Sequence, residues 1–420
     1  VRITAVDTVV TCPGRNFVLV KITTDAGLVG WGDATLNGRE LAVAACLSEH
    51  LAPLLVGEDA RRIEHHWNAI YTGAYWRGGP VQNTALAGID MALWDLLGKH
   101  AGLPVYQLLG GRVRDGALAY THVAGKTPDD VVAAVRQRMD RGFKAVRINL
   151  ELSAGAMYGE KLKAGLVPPT VPGTPPGSGT PLLIQNDLPR VGVFEPTPYM
   201  RSLPKLFAHV RDALGDSVEL LHDVHHRLSP IQAAQLAREL EAYHPFFFED
   251  PIAPEYAAGL GTIRQTSSIP IAIGEGFFDV SVCVPLITAR LLDYLRCDLG
   301  HIGGITPARK LAAMSEPFCI KSAWHGPPDL SPVGHAANVH VDLAIPNFGI
   351  QEWWNHAADP TMAATAEVFR GGVIVRDGHL DVPETPGLGV DVDEAAARKY
   401  PYQRAYLPVV RLHDGSVHPW

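Results

Sequence analysis

The chain has 420 residues, 47% of them hydrophobic and 19% charged, enough for one large globular domain and a smaller companion. Its formal net charge of −8 and pI near 6.1 argue against nucleic acid or an anionic membrane surface as the main partner. Five scattered cysteines without CxxC spacing, an opening Val-Arg-Ile-Thr-Ala-Val-Asp that is too charged for a signal core, and no apolar run of 18 residues predict a soluble, cytoplasmic protein.

Residues 2–11 and 16–23 alternate like strands, and Thr24-Asp-Ala-Gly27 supplies a turn before Leu28-Val-Gly-Trp-Gly32. The chain therefore opens with an antiparallel meander. Asp33–Arg39 is polar and loop-like. Helical spacing follows at about 40–54, 60–74 and 82–100, where Ala85, Ile89, Leu93, Leu96 and Leu97 recur along one face. This α+β block, residues 1–112, closes near Leu109-Gly-Gly111.

From Ala117 the period changes. Strand-like runs at about 117–122, 143–149, 218–223, 245–250, 270–275, 293–298, 318–324 and 348–352 alternate with helical stretches. Eight such alternations within 113–375 predict a (β/α)₈-type barrel with a variant first or last unit. A polar residue recurs near the carboxyl end of each run: His122, Arg147, Asp223, Glu249, Glu275, Asp298, His325 and Glu352. The gap of 76 residues between Arg147 and Asp223 breaks the rhythm and holds a Pro/Gly-rich insertion, 150–198. An insertion of that kind, leaving the face where barrel enzymes do chemistry, reads as a lid. The tail from about 376 to 420 no longer alternates and is expected to return to the N-terminal block.

Asp223, Glu249 and Glu275 each close a short apolar run, 26 residues apart in both steps. A strand, a return helix and two short loops need about that length, so three acids sit at the ends of three consecutive parallel strands. Carboxylates so crowded repel one another and call for a cation between them, and a hard, oxygen-preferring ion such as Mg²⁺ fits best. Asp250 is the rival ligand beside Glu249, since neighbours on a strand alternate and only one can face inward. The same alternation turns His225 toward the pocket with Asp223 and turns His222 and His226 away. A histidine beside Mg²⁺ can act as acid or base near neutral pH; it can also merely orient a carboxylate.

Arg147 precedes the insertion and Tyr158 lies early in it. A nearby guanidinium would lower the tyrosine's pKa toward that of a base. Asp298 and His325 end adjacent strands, a base-plus-orienter arrangement whose members could instead bind substrate hydroxyls. Arg296 could meet a substrate carboxylate or pair with Asp298.

Taken together, several segments resemble the enolase superfamily, and more closely its mannonate dehydratase group. They are Thr11-Cys-Pro-Gly-Arg-Asn-Phe17, Gly32-Asp-Ala-Thr-Leu-Asn-Gly-Arg-Glu40, Gly73-Ala-Tyr-Trp-Arg77, Asp90-Met-Ala-Leu-Trp-Asp95 and Tyr106-Gln-Leu-Leu-Gly-Gly111. The series continues with His325-Gly-Pro-Pro-Asp-Leu-Ser-Pro332, Pro346-Asn-Phe-Gly-Ile-Gln-Glu352 and Glu384-Thr-Pro-Gly-Leu-Gly-Val-Asp391, so that it covers nearly the whole chain. The resemblance implies a modified (β/α)₇β TIM-like barrel under an α+β N-terminal capping domain that the tail completes. It assigns Asp223, Glu249 and Glu275 to one Mg²⁺. It makes Tyr158, with Arg147, the base that takes the proton beside the substrate carboxylate, and His225 the acid that protonates the departing 3-hydroxyl. Asn37, His122, Arg296, His325, Asp329 and Glu352 match positions that contact the sugar acid.

The implied activity is dehydration of D-mannonate or D-gluconate to a 2-keto-3-deoxy acid, with an aldonate and further copies of this chain as partners. Two positions depart from the pattern. Asp298 stands where an uncharged residue is expected and, with His325, resembles the dyad of mandelate-racemase-like relatives. Position 327 is Pro where members highly active on mannonate tend to have Ala, which points to weak mannonate activity, to gluconate or to another acid sugar. Dehydration or epimerisation of another aldonate through Asp298 and His325, and a non-catalytic acid-sugar-binding protein, are the alternatives.

Overall fold

A computed structural model describes residues 1–150, 190–356, 359–404 and 409–419. The meander is present as β1 (Ile3–Thr11), β2 (Phe17–Thr24) and β3 (Val29–Asp33), antiparallel in that order. Helices α1 (Glu40–Ala45), α2 (Ile63–Tyr71) and α3 (Pro80–Ala101) follow, and the short α4 (Val105–Leu108) leads out of the block. α3 is buried on nearly every side, as expected for a helix caught between two bodies. Gly30 and Gly32 on β3 leave no room for a side chain where α3 crosses them. On its other side α3 meets the barrel: Trp94 Nε1 donates to Thr306 Oγ1 at 2.9 Å, and Asp90 Oδ2 accepts the Thr306 N–H at 2.9 Å.

The barrel runs β4 (Ala117–Gly125), α5 (Pro128–Met139), β5 (Ala145–Leu150), β6 (Arg190–Val193), α6 (Pro196–Leu214), β7 (Glu219–Asp223) and α7 (Pro230–Leu240). It continues through β8 (Phe248–Glu249), α8 (Leu260–Thr266), β9 (Ile271–Ile273), α9 (Val280–Thr288), β10 (Tyr294–Leu295), α10 (Leu299–Ile302) and α11 (Ile305–Ser315). Last come β11 (Lys321–Ser322), α12 (Pro332–Ala344) and β12 (Gln351–Glu352). The barrel strands are parallel in the order β11-β10-β9-β8-β7-β5-β4-β12, and a Ser322–Phe348 bridge approaches ring closure. Helix starts are locally encoded. Thr127 with Asp130 and Ser229 with Gln232 form capping boxes ahead of α5 and α7, each with Pro in the first turn.

Tyr120, Ala145, Leu221, Phe247, Ala272, Ala323 and Ile350, each from a different strand region, fill the barrel interior. The layer mixes large and small side chains, so the interior is a packed floor and not a pore. Two residues beyond Leu221 and Phe247 come Asp223 and Glu249, which the period of two lifts onto that floor. On β9 the phase shifts. Gly274 takes φ +146° and lies so near the backbone of Arg296 and Cys297 that a Cβ would come within 2.8 Å of Cys297 N. Glu275, three residues beyond Ala272, thereby joins the other two acids.

The expected insertion is shorter than its composition suggests, for β6 and α6 already occupy 190–193 and 196–214. Residues 151–189, with Tyr158, lie outside the described residues. After β12 come α13 (Thr365–Val368), β13 (Phe369–Gly371), β14 (Ile374–Arg376), β15 (His379–Asp381), β16 (Val390–Val392), α14 (Glu394–Ala397) and β17 (Val409–Arg411). This tail touches both bodies. β15 pairs with barrel strand β4, Tyr400 O accepts the Cys12 N–H of the cap at 2.7 Å, and β17 pairs with β6 at the barrel mouth. No helix among the described residues is long and apolar enough to cross a membrane.

Candidate active site

The carboxyl ends of the strands bring five acids together: Asp223, Glu249, Asp250, Glu275 and Glu352, all buried. Two guanidinium groups run among them. Arg147 Nη1 lies 2.7 Å from Asp223 Oδ2, 2.8 Å from Glu249 Oε1 and 3.4 Å from Glu352 Oε1. Arg296 reaches Glu249 at 2.6 Å, Glu275 at 2.7 Å, Asp250 at 3.1 Å and Glu352 at 2.5 Å. Five carboxylates against two arginines leave three negative charges before histidines are counted.

The protonation pattern follows from that shortfall. Burial and the neighbouring Asp223 push Glu249 well above the usual carboxylate range against the pull of Arg296. At Asp223 burial works the same way, yet His225 and Arg147 hold the group well below its ordinary value. Arg296 and Arg147 do the same for Glu352. Glu249 Oε2 is buried without a hydrogen-bond partner among the described residues.

An orphan carboxylate oxygen amid an acidic, oxygen-rich donor set is what a hard divalent cation requires. Three groups of ligand atoms lie within 4.8 Å of one another: Asp223, His225 and Glu275; Asp223, Glu249 and Asp250; and His226, Asp250 and Glu275. Asp223 and Glu275 share one group and Asp223 and Glu249 another, while Arg296 sits between Glu249 and Glu275.

His225 Nε2 lies 2.8 Å from Asp223 Oδ2, and His222 is turned away toward Tyr199 and the Ile148 carbonyl. Strand alternation fails for the next residue. His226 faces Asp250 Oδ1 at 3.3 Å and Glu275 Oε1 at 3.9 Å instead of pointing away. The reason is local: His225 and His226 both take left-handed φ, +52° and +62°, so the strand period ends at Asp223. Asp250 is left-handed too, φ +36°, and for that reason Glu249 and Asp250 both enter the cluster and the expected rivalry dissolves.

The remaining expected residues divide. His122 Nε2 lies 2.8 Å from Glu352 Oε1, and burial and Arg147 drive its pKa down to about 4, so it is neutral. His325 Nδ1 and Asp298 Oδ2 are 2.8 Å apart, and His325 Nε2 is 3.4 Å from Glu275. Burial and Arg296 oppose a charge on His325, but Asp298, Glu352 and Glu275 raise its pKa to about 9. Asn37 lies in the turn after β3 of the cap and Asp329 in the loop ahead of α12, where Arg15 of the cap comes within 4.0 Å of it; each has a buried polar atom without a hydrogen bond among the described residues. Arg296, expected to meet the sugar acid, is 0% exposed and spends its donors on protein carboxylates. Tyr120 was not anticipated: its hydroxyl donates to Glu249 Oε1 at 3.2 Å and accepts from Arg296 Nε at 3.3 Å. The period of two on β4, which sets Tyr120 beside His122, carried that signal.

A barrel whose strand ends gather acids, beneath a meander-and-helix cap, defines the class. Residues 3–110 match the mandelate racemase / muconate lactonizing enzyme N-terminal domain, and residues 130–396 match the enolase C-terminal domain-like family. The chain belongs to the enolase superfamily, a superfamily of enzymes.

Within it, the chain is 48% identical over 415 residues to a D-mannonate dehydratase of Caulobacter sp., covering 98% of each chain. It is 47% identical over 420 residues to a D-galactonate dehydratase family member of Streptomyces bingchenggensis, covering 100% of this chain and 98% of that one. A crystal structure of an enolase from Pantoea ananatis with bound D-gluconate and Mg aligns over 100% of both chains, with TM-score 0.88 and 42% identity.

Proposed function

We propose that this chain is an Mg²⁺-dependent acid-sugar dehydratase, a hydro-lyase that converts D-mannonate or its 2-epimer D-gluconate to 2-keto-3-deoxy-D-gluconate through an enediolate. The observation that carries the reading is the buried, under-neutralised carboxylate cluster with Glu249 Oε2 unpartnered. The gluconate and Mg bound by the Pantoea relative support the ligand class. Asp223, Glu249 and Glu275 would hold the ion, with Asp250 and His226 close behind. Bound there, Mg²⁺ offsets the second negative charge that builds on the substrate carboxylate as its α-proton leaves.

The chain's own residues do the rest. Tyr158, which lies outside the described residues, takes the C2 proton, the role the sequence pattern gives it together with Arg147. His225, oriented by Asp223, gives a proton to the 3-hydroxyl, which departs as water. The enol then tautomerises to the 2-keto acid. His122 and Glu352 line the floor, Asn37 and Asp329 meet the far hydroxyls, and Arg296 acts through Glu275 and Glu352. Screening aldonates for 2-keto-3-deoxy products with and without Mg²⁺ tests the reading. Product that appears unchanged after verified chelation, or no product from any aldonate, overturns it.

A second reading is favoured by one contact, the 2.8 Å pair of Asp298 and His325. Here His325 is the base, acting on an aldonate of other C2 configuration, with Pro327 on its loop reshaping the pocket away from mannonate. Exchange of the α-proton with solvent deuterium separates the two. Loss of exchange in Tyr158→Phe with retention in His325→Asn supports the tyrosine, and the reverse supports the dyad.

A further inference from the structure

We propose that Asp33 is a positioning residue that sets the distance between the cap and barrel halves of the sugar site. This rests on the acid-sugar reading above, in which Asn37 and Asp329 supply those halves.

Asp33 ends β3 in the cap and is 1% exposed. Its Oδ1 accepts the Thr35 N–H at 2.8 Å, which shapes the turn leading to Asn37. Its Oδ2 crosses the domain junction and accepts the Ser331 N–H at 2.6 Å. Ser331 stands at the start of α12 and makes no side-chain capping bond of its own. A carboxylate from the other domain thus sits at the positive end of a thirteen-residue helix, where an anion is favoured. The approach is close: a Cβ on Gly334 would lie 3.0 Å from Asp33 Oδ2.

Two residues before Ser331 comes Asp329, and six before it His325. The other bonds that hold this loop come from the barrel itself. Asn338 Nδ2 donates to His325 O at 2.9 Å, Gly326 N donates to Glu352 Oε2 at 2.9 Å, and His356 Nε2 lies 3.1 Å from Pro328 O. From the cap, the loop is met by Asp33 and by Arg15, whose Nη1 is 4.0 Å from Asp329 Oδ1. One carboxylate therefore links the turn before Asn37 to the turn after Asp329. Removing an acceptor from it frees the two halves to drift without touching the ions' ligands at the strand ends.

Asp33→Asn tests this, because the amide keeps the volume but offers one acceptor oxygen where two N–H groups need acceptance. The expected result is a KM for the aldonate raised about tenfold, the factor that one charge-assisted hydrogen bond is worth. kcat should stay within about twofold and calorimetric Mg²⁺ affinity should be unchanged. Asp33→Asn added to Asn37→Ala should raise KM by less than it does alone, because the contact it positions is gone.

A lowered melting temperature with KM unchanged overturns the proposal, as does a parallel fall in kcat and Mg²⁺ affinity. Calorimetric titration of D-mannonate and D-gluconate accompanies the kinetics. Wild-type protein that binds either acid but turns over no aldonate overturns the dehydratase reading alone, and Asp33 is then judged by its effect on Kd. Wild-type protein that binds neither acid and turns over no aldonate overturns both.

Discussion

At Glu249 two demands conflict. Oε1 is shared by Arg147, Arg296 and Tyr120, while Oε2 is buried with nothing to bond among the described residues. Burial opposes the charge of this carboxyl group and the chain's own donors leave it half satisfied, a cost that a site built for a cation accepts. Glu249→Gln should leave the melting temperature unchanged or raised, since a neutral amide keeps the Oε1 bonds and sheds the burial cost. Turnover should vanish, and calorimetric Mg²⁺ affinity should fall at least about tenfold, the loss of one charged ligand. Near-native turnover in that variant would remove Glu249 from the metal set. Sequence spacing located this residue because a strand period carried it there. It turned His226 away and let only one of Glu249 and Asp250 face inward, because left-handed φ breaks the period at the points that matter.

Among the elements, α3 joins the two bodies, and Asp90 on it shows how. Its Oδ2 accepts the Thr306 N–H at the start of α11, and Gly304 lies so close that a side chain there would strike the carboxylate. Burial raises the Asp90 pKa to about 7, against the pull of the Thr306 bonds. The unfolded chain loses that proton near 4, and the folded chain keeps it until about 7. Its contribution to stability is therefore complete below pH 4 and is lost progressively as pH rises to 7, a change on the order of 4 kcal/mol. Asp90→Asn, which accepts the same N–H without ionising, should melt higher than wild type at pH 8 and converge with it near pH 4. Equal melting temperatures at both pH values would show that Asp90 ionises freely in the fold. The helix itself was legible from its apolar spacing; the protonated partner on it was not, because burial on all sides is a property of the assembled domains.

Over the whole molecule the tail closes the circuit. After meeting the cap near Cys12 and Asn16, it runs to the barrel mouth. There the Phe194 N–H donates to Arg411 O at 2.9 Å, His413 N donates to Glu195 Oε1 at 2.8 Å, and His418 Nε2 lies 2.9 Å from Arg227 O. Arg227 follows His225 by two residues, so the tail braces the turn that presents the proposed acid. A chain ending at Arg404 keeps the cap contacts and loses the brace. It should melt within a few degrees of the full chain and bind Mg²⁺ as tightly, with turnover reduced about tenfold or more, as misplacement of a catalytic group predicts. Full turnover in the shortened chain would assign the tail to cap stability alone.

The sequence by itself determined the architecture and the acidic core of the site. Strand and helix periods are local, and the repeat of 26 residues from Asp223 to Glu249 to Glu275 is arithmetic on a βα unit. Those quantities do not depend on what packs against what. Which acids meet which cation, and how the halves join, depends on contacts between residues 21 to 298 positions apart, which no period encodes. Tertiary structure alone drew Arg296 beneath four carboxylates and set Gly274 so that Glu275 slips into phase. It also split the tail between cap and barrel and carried Asp33 across the junction to Ser331. In each case the deciding term is burial, and burial exists only once the chain has closed on itself.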